Sequence, residues 1–179
     1  MNRVLPQAPA DVARQVDHFE WLKTHFPNLY ADEVKQAETP APHRILLAGI
    51  DLLKQHGRAF GSYDNQQGEL CALGALAVAA NKDAECWESM RGSWPLHAEP
   101  GDRELVEAAR ELYMVLAGAD VSPEDLQIED LIEGVGAWHD GTPVPDSEEA
   151  IPPANSVVFA AFSDAAARLA EQAGAAHAQ

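Results

Sequence analysis

The segment GELCALGALAVAAN, residues 68–81, runs from a short extended stretch into an alanine-rich helix. Leu73, Leu76 and Val78 stand among small residues, a combination that lets a helix pack very closely against its neighbours. A glycine inside a helix costs about 0.5 to 1 kcal/mol relative to alanine, so Gly74 indicates a steric requirement at its position. The segment therefore predicts a tightly packed helix with Cys71 at its start.

Cys71 has two interpretations at this junction. A helix N-terminus lowers the pKa of a thiol and can make it a nucleophile, whereas cysteine is also among the most often buried residues. The neighbours Leu70, Ala72 and Leu73 are apolar, and burial among such residues raises a thiol pKa. These neighbours favour a structural Cys71. A Cys71→Ser substitution is then expected to cost about 1 to 3 kcal/mol, because it places a hydroxyl in the core.

Upstream, residues 43–57 read HRILLAGIDLLKQHG, a broad apolar stripe at helical spacing that Gly57 ends. Residues 58–71 follow with turn residues Asp64, Asn65 and Gly68 between two short runs, a pattern typical of a small β-hairpin. The sequence thus predicts helix, hairpin and helix in that order.

Downstream, three further helices are predicted. The first follows Asp102 as its N-cap and ends at Gly118, and the second begins at Ser122 and Pro123. The third covers residues 154–174. Residues 86–101 are irregular, and Trp87 and Trp94 are expected to cover the core there. The predicted inward stripe of the last helix is Val158, Ala161, Phe162, Ala165 and Leu169.

The chain divides into an N-terminal helical extension, residues 1–40, and a helical domain, residues 41–179. Two short helices interrupted by Pro27 are expected in the extension, and the ETPAPH segment, residues 38–43, has the prolines of a linker. The extension carries four aromatic residues that we identify as candidate partner contacts: Phe19, Trp21, Phe26 and Tyr30. The predicted fold class is mainly α (α+β), a compact helical domain with one small β-hairpin.

Composition excludes several classes of function. Twelve basic against 29 acidic residues give a formal charge of −17, which repels phosphate backbones and anionic membranes and disfavours direct nucleic-acid binding. No apolar run approaches the roughly 18 residues of a membrane-spanning helix, and the start lacks the apolar centre of a signal peptide. Two cysteines without CxxC spacing suit a reducing compartment. A cytoplasmic protein is expected, or one delivered inside another particle.

The order of features resembles DUF6197, a family of small actinobacterial and actinophage proteins of unknown function. The likeness covers roughly residues 43 to 172. Its most specific residues are Gly68, Cys71, Gly74, Ala75 and Leu76, followed by Trp138 and Asp140. In that family the residue between the tryptophan and the aspartate is typically asparagine, whereas here it is His139, a departure that weakens a catalytic role for His139. The resemblance implies an actinobacterial or bacteriophage setting and supplies no activity.

Two chemistries can be built from these residues. A cysteine-dependent hydrolase or transferase would use Cys71 as nucleophile, His139 or His97 as base and Asp140 as the orienting carboxylate. His139 and Asp140 are adjacent in sequence, however, an awkward geometry for one to orient the other. A zinc site would draw on the same residues and Cys86, but the paired close spacing of zinc ligands is missing. Neither GxGxxG nor GxxxxGK occurs, so no nucleotide cofactor is expected.

The sequence therefore favours a non-enzymatic protein-interaction, assembly or regulatory module. Its contact would be a protein partner or a second copy of the chain, bound through the N-terminal extension. A DNA mimic is a special case that needs regularly spaced carboxylates on one face, which residues 124–133 offer only in part.

Overall fold

The computed structural model describes residues 40–118, 121–143 and 150–176, so the predicted contact residues of the N-terminal extension lie outside the described part. The mainly α fold predicted from the sequence is confirmed. The helices are α1 (Pro42–His56), α2 (Ala72–Ala79), α3 (Cys86–Met90), α4 (Asp102–Ala117), α5 (Ile128–Asp140) and α6 (Asn155–Ala176), with a 3-10 turn at Pro123–Asp125. Two short strands, β1 (Thr142–Pro143) and β2 (Ala150–Ile151), pair antiparallel.

Helix α2 lies at the centre of the described domain, in contact with α1, α4 and α5. Its residues are apolar on every side, and a helix without a polar face is stable only when it is surrounded by other elements. Leu73 and Leu76 are at most 1% exposed. The indole of Trp87 on α3 is completely buried, and its Nε1–H donates to the Leu73 carbonyl at 3.0 Å. Trp87 thus contributes a large apolar ring to the core while its polar group stays bonded.

Helices α1, α4 and α6 build the rest of the core around α2. The most extensive contact joins α1 to α6, and α4 packs on both of them. The inward stripe predicted for α6 is confirmed, with Val158 and Phe162 completely buried and Leu169 only 6% exposed. The periodicity of the apolar residues therefore predicted which face of α6 is buried.

Gly74 allows the loop before α2 to lie directly on that helix. A Cβ atom at this position would stand 2.1 Å from the backbone oxygen of Tyr63, far inside any permitted contact. The same Tyr63 oxygen accepts a hydrogen bond from the Cys71 N–H at 2.9 Å. The steric requirement predicted for Gly74 is therefore a close approach by the Tyr63 backbone.

The loop before α2 is looser than the predicted hairpin. Residues 58–71 contain two isolated bridges, Arg58 with Leu70 and Asp64 with Leu70, instead of a ladder. Asn65 organises the turn, because its side-chain oxygen accepts from the N–H groups of Gln67 and Glu69. Such local bonds compete with strand pairing, and they hold the loop in a compact form.

Two helix starts differ from those predicted. The N-cap of α4 is Gly101, and Asp102 is the first helical residue, where its carboxylate accepts from the Glu99 N–H at 2.6 Å. Helix α5 begins after Gln127, which forms a capping box with Asp130. The predicted start at Ser122 and Pro123 is instead the separate 3-10 turn.

The described helices include none with both the length and the apolar character needed to cross a lipid bilayer.

Candidate functional site

Cys71 is the N-cap of α2. Its Sγ accepts a hydrogen bond from the Gly74 N–H at 3.3 Å, which satisfies one of the N–H groups that a helix start leaves without a partner. Only 7% of the residue is exposed. Burial raises the pKa of the Cys71 thiol to about 11, against the smaller opposing effect of the backbone N–H groups of Gly74 and Leu73. Near neutral pH the group is therefore a protonated thiol.

His139, near the end of α5, is completely buried. Its Nε2 lies 3.1 Å from the Ala59 carbonyl, which can only accept, so Nε2 carries the proton. Nδ1 is buried and has no hydrogen-bond partner among the described residues. Burial, followed by the nearby Arg58 guanidinium, lowers the pKa of His139 to about 4. The imidazole is therefore neutral near pH 7.

Arg58 ties three separate parts of the chain together. Its Nη1 donates to the Pro153 carbonyl at 2.6 Å and to the Asn155 side chain at 3.0 Å, and its Nη2 donates to the His139 carbonyl at 3.2 Å. The guanidinium carbon lies 5.0 Å from the centre of the Phe60 ring. That ring in turn stacks on the imidazole of His139 at 5.4 Å. Arg58 thus connects the loop before α2 to the end of α5 and the start of α6.

Cys71 and Asp140 line the same cavity, which has a volume of about 220 Å³. Asp140 also fixes the loop, because its Oδ1 accepts from the Gly61 N–H at 3.1 Å. A second hydrogen bond holds the same loop to α3, because the Tyr63 hydroxyl donates to Glu88 at 2.8 Å. The cavity is lined by Gly61, Ser62, Tyr63, Cys71, Leu73, Glu88, Ile132, Gly136 and Asp140.

The predicted catalytic residues do not form a hydrogen-bonded set. The Cys71 sulfur accepts from the Gly74 N–H, and the Nε2 of His139 bonds to the Ala59 carbonyl. The other ring nitrogen of His139 has no partner, so within the described residues no thiol–imidazole pair exists. His97 is exposed and lines a different cavity of about 310 Å³, together with Cys86. A nucleophile needs a base within hydrogen-bond reach, and the described geometry gives Cys71 no such base.

The candidate metal ligands are likewise separated: Cys71 and Asp140 line the first cavity, Cys86 and His97 line the second, and His139 lines neither. Cys86 and His97 lie in the cavity beside the ion pair of Lys82 with Asp102, where Nζ and Oδ1 are 2.7 Å apart. Burial raises the pKa of Cys86 to about 12. In the part of the chain that the structure describes, no group of three or more His, Cys, Asp or Glu side chains is arranged to hold a metal ion.

The remaining motif residues have structural positions. Gly68 adopts a φ of 77° in the turn, a conformation that glycine reaches without strain. Ala75 is completely buried, and the half-buried Trp138 contacts the His139 ring edge-on at 6.4 Å. Sequence reasoning missed Arg58 and the Tyr63–Glu88 pair. Their partners are 25 or more residues away, and local pattern carries no signal for such contacts.

Comparison with known proteins gives no match to a family model, to a curated protein or to a solved structure. The resemblance to DUF6197 therefore remains a prediction from the motif residues.

Proposed function

We propose that the protein is a non-enzymatic interaction or assembly module whose motif residues maintain the fold. One observation carries the proposal: the thiol of Cys71 caps α2 and has a pKa of about 11, while the imidazole of His139 is bonded to Ala59. Both groups are thus held in structural bonds. A cysteine enzyme needs the opposite state, a thiolate with an adjacent base.

The contact with a protein partner or with a second copy is assigned to residues 1–40, because four large aromatic side chains are concentrated between positions 19 and 30. Aromatic residues are enriched in protein interfaces, and Trp and Tyr are frequent among the few residues that dominate the binding energy. The charge of −17 favours a basic partner over an acidic one and disfavours nucleic acid, and a reducing cytoplasm suits the two free cysteines.

The test compares the full-length protein with two double variants, Phe19→Ala with Trp21→Ala and Phe26→Ala with Tyr30→Ala. Light scattering over a range of protein concentrations measures self-association, and affinity capture from an extract of the source organism measures binding of another protein. We expect at least one of these associations in the wild-type protein and its loss in one or both double variants. Leu96→Ala is the matched control, because Leu96 is an apolar side chain that is 84% exposed in the described domain.

Two outcomes contradict the proposal. The first is a wild-type protein that stays monomeric and captures no protein. The second is an association that the aromatic variants and Leu96→Ala leave equally intact.

A further inference from the structure

A groove between α4, α6 and the 3-10 turn is lined by two arginines, Arg103 and Arg110, that form no ion pair with another described residue. It has a volume of about 480 Å³, and we refer to it as the arginine groove. Val106 and Leu169, at 1% and 6% exposure, belong to its apolar wall. The groove is lined by Trp94, Arg103, Val106, Glu107, Arg110, Glu111, Pro123, Leu169 and Gln172.

Arg103 and Arg110 are seven residues apart on α4, so they stand on one face of the helix, about 10 Å apart along its axis. Four other cations of the described domain, Lys54, Lys82, Arg91 and Arg168, are paired with carboxylates. Neither Arg103 nor Arg110 forms an ion pair or a side-chain hydrogen bond with another described residue. The exposed Arg44 also has no ion pair among the described residues, so Arg103 and Arg110 are distinguished by lining the same groove.

Arg110 is the more informative of the two. It is half-buried, and its Nε is buried without a hydrogen-bond acceptor among the described residues. A buried donor without an acceptor is unfavourable, and a guanidinium presents its N–H groups in a geometry that matches the two oxygens of a carboxylate. The terminal N–H groups of the same guanidinium are not buried, and they are the donors that an anion in the groove can reach.

We infer that the arginine groove is a binding site for a small organic carboxylate with an apolar body. The carboxylate bonds to Arg110 or Arg103, and the apolar body lies on the ring of Trp94 and on Pro123, which are the more accessible apolar residues of the groove. Most small-molecule sites have this composition, an apolar lining with a few polar groups that fix the orientation of the ligand. This assignment is independent of the proposed protein interaction.

The acidic residues of the groove restrict how much negative charge the ligand can carry. Glu111 forms an ion pair with Arg168, whose Nε lies 2.8 Å from its Oε1, although the two atoms are not aligned for a hydrogen bond. Glu107 lines the same groove and opposes an anion. The chain as a whole carries −17, and repulsion grows with the charge of the ligand, so a monocarboxylate is favoured over an acidic peptide or a polyphosphate.

The test uses naphthoate as probe and its uncharged alcohol, naphthalenemethanol, as control, with binding to the full-length protein measured by ligand-observed NMR and calorimetry. We expect naphthoate to bind wild-type protein at least about tenfold more tightly than the alcohol. The reason is that a hydrogen bond between an arginine and a carboxylate is stronger than one between an arginine and a neutral hydroxyl. Arg103→Gln and Arg110→Gln should each weaken naphthoate binding by about tenfold. Glu107→Gln should tighten it, and Arg91→Gln, outside the groove, should leave it unchanged.

The assignment is overturned by no binding of naphthoate to the wild-type protein, by equal affinities for acid and alcohol, or by equal affinities for wild type and both groove variants. The comparison of acid with alcohol needs no substitution, and Arg103 is exposed, so misfolding of the Arg110 variant does not remove the test. Binding of an acidic peptide more tightly than naphthoate would also contradict it.

Discussion

Cys71 illustrates how one residue can satisfy two requirements at once. It fills apolar space at the start of α2, and its sulfur accepts the N–H of Gly74. The sequence presented burial and a helix start as competing interpretations, one structural and one catalytic. The structure combines them, because a buried thiol can cap a helix without becoming a thiolate.

The reactivity of Cys71 toward an alkylating reagent should follow from its pKa. Burial raises that pKa to about 11, so labelling of native protein should be slow at pH 8 and increase toward pH 11. In denaturant the midpoint should return to about 8.5, the ordinary value for a thiol. Peptide-resolved mass spectrometry separates Cys71 from Cys86. Rapid native labelling with a midpoint below 8.5 would contradict the structural role and would favour the cysteine-enzyme alternative.

Substitutions of Cys71 should reveal its capping bond. The sequence alone predicts a cost of about 1 to 3 kcal/mol for Cys71→Ser. The observed cap provides a hydrogen bond for the new hydroxyl, however, and serine is a preferred N-cap. We now expect a cost below about 1 kcal/mol for Cys71→Ser and a larger one for Cys71→Ala, which leaves the Gly74 N–H without its acceptor. Urea unfolding measures both, with Cys86→Ala as the control. Equal stability of the two Cys71 variants would show that the cap contributes nothing.

At the scale of the elements, α2 depends on how closely the preceding loop approaches it. A Gly74→Ala substitution places a Cβ against the Tyr63 backbone oxygen, and a backbone atom cannot move aside without shifting the loop. We expect a loss of about 1 to 3 kcal/mol in the free energy of unfolding, as for other overpacked sites.

Gly136→Ala in α5 is the matched control for Gly74→Ala. A Cβ there meets nothing within 4 Å, so the higher helix propensity of alanine should stabilise the protein by about 0.5 to 1 kcal/mol. If Gly74→Ala and Gly136→Ala change the free energy of unfolding in the same direction, the close approach of the Tyr63 backbone is not the reason that residue 74 is glycine.

The longer helices could be predicted from the sequence, because spacing alone marks a buried face. Phe162 and Leu169 of α6 were identified in this way, and both are buried. The five-residue α3 could not be predicted, since it lies within residues 86–101, whose pattern predicts no regular element. The start of α5 could not be predicted, because Ser122 and Pro123 carry stronger local start signals than Gln127. The capping box is nevertheless formed by Gln127. Of the candidate site, the sequence singled out Cys71, Gly74, His139 and Asp140. Arg58 acts through Pro153, Asn155 and His139, contacts that exist only after the helices have assembled.

At the scale of the whole molecule, His139 should make stability depend on pH. Its pKa is about 4 in the folded protein and about 6.5 when unfolded, so between these values the unfolded state binds more protons. The contribution of His139 to the free energy of unfolding is therefore fully present above pH 6.5. It is lost as pH falls toward 4, by up to about 3 kcal/mol.

Chemical unfolding at pH 7 and pH 4.5 measures this contribution of His139. His139→Gln can keep the donor to Ala59 but does not titrate, so it should lose less stability than the wild type over this interval. His97→Gln, at an exposed histidine, should keep the wild-type loss. An identical pH dependence in all three proteins would contradict the assignment, because the carboxylates they share would then account for it.

The packing of α1 on α6 has a consequence for biosynthesis. The first described helix leaves the ribosome roughly 100 residues before the start of the last one, which corresponds to about 5 to 20 s at ordinary rates of translation. During that interval the apolar stripe of α1 lacks its most extensive partner. Until α6 emerges, α2 and α4 are the native partners that can cover this stripe, and any part left exposed is open to aggregation or to a chaperone.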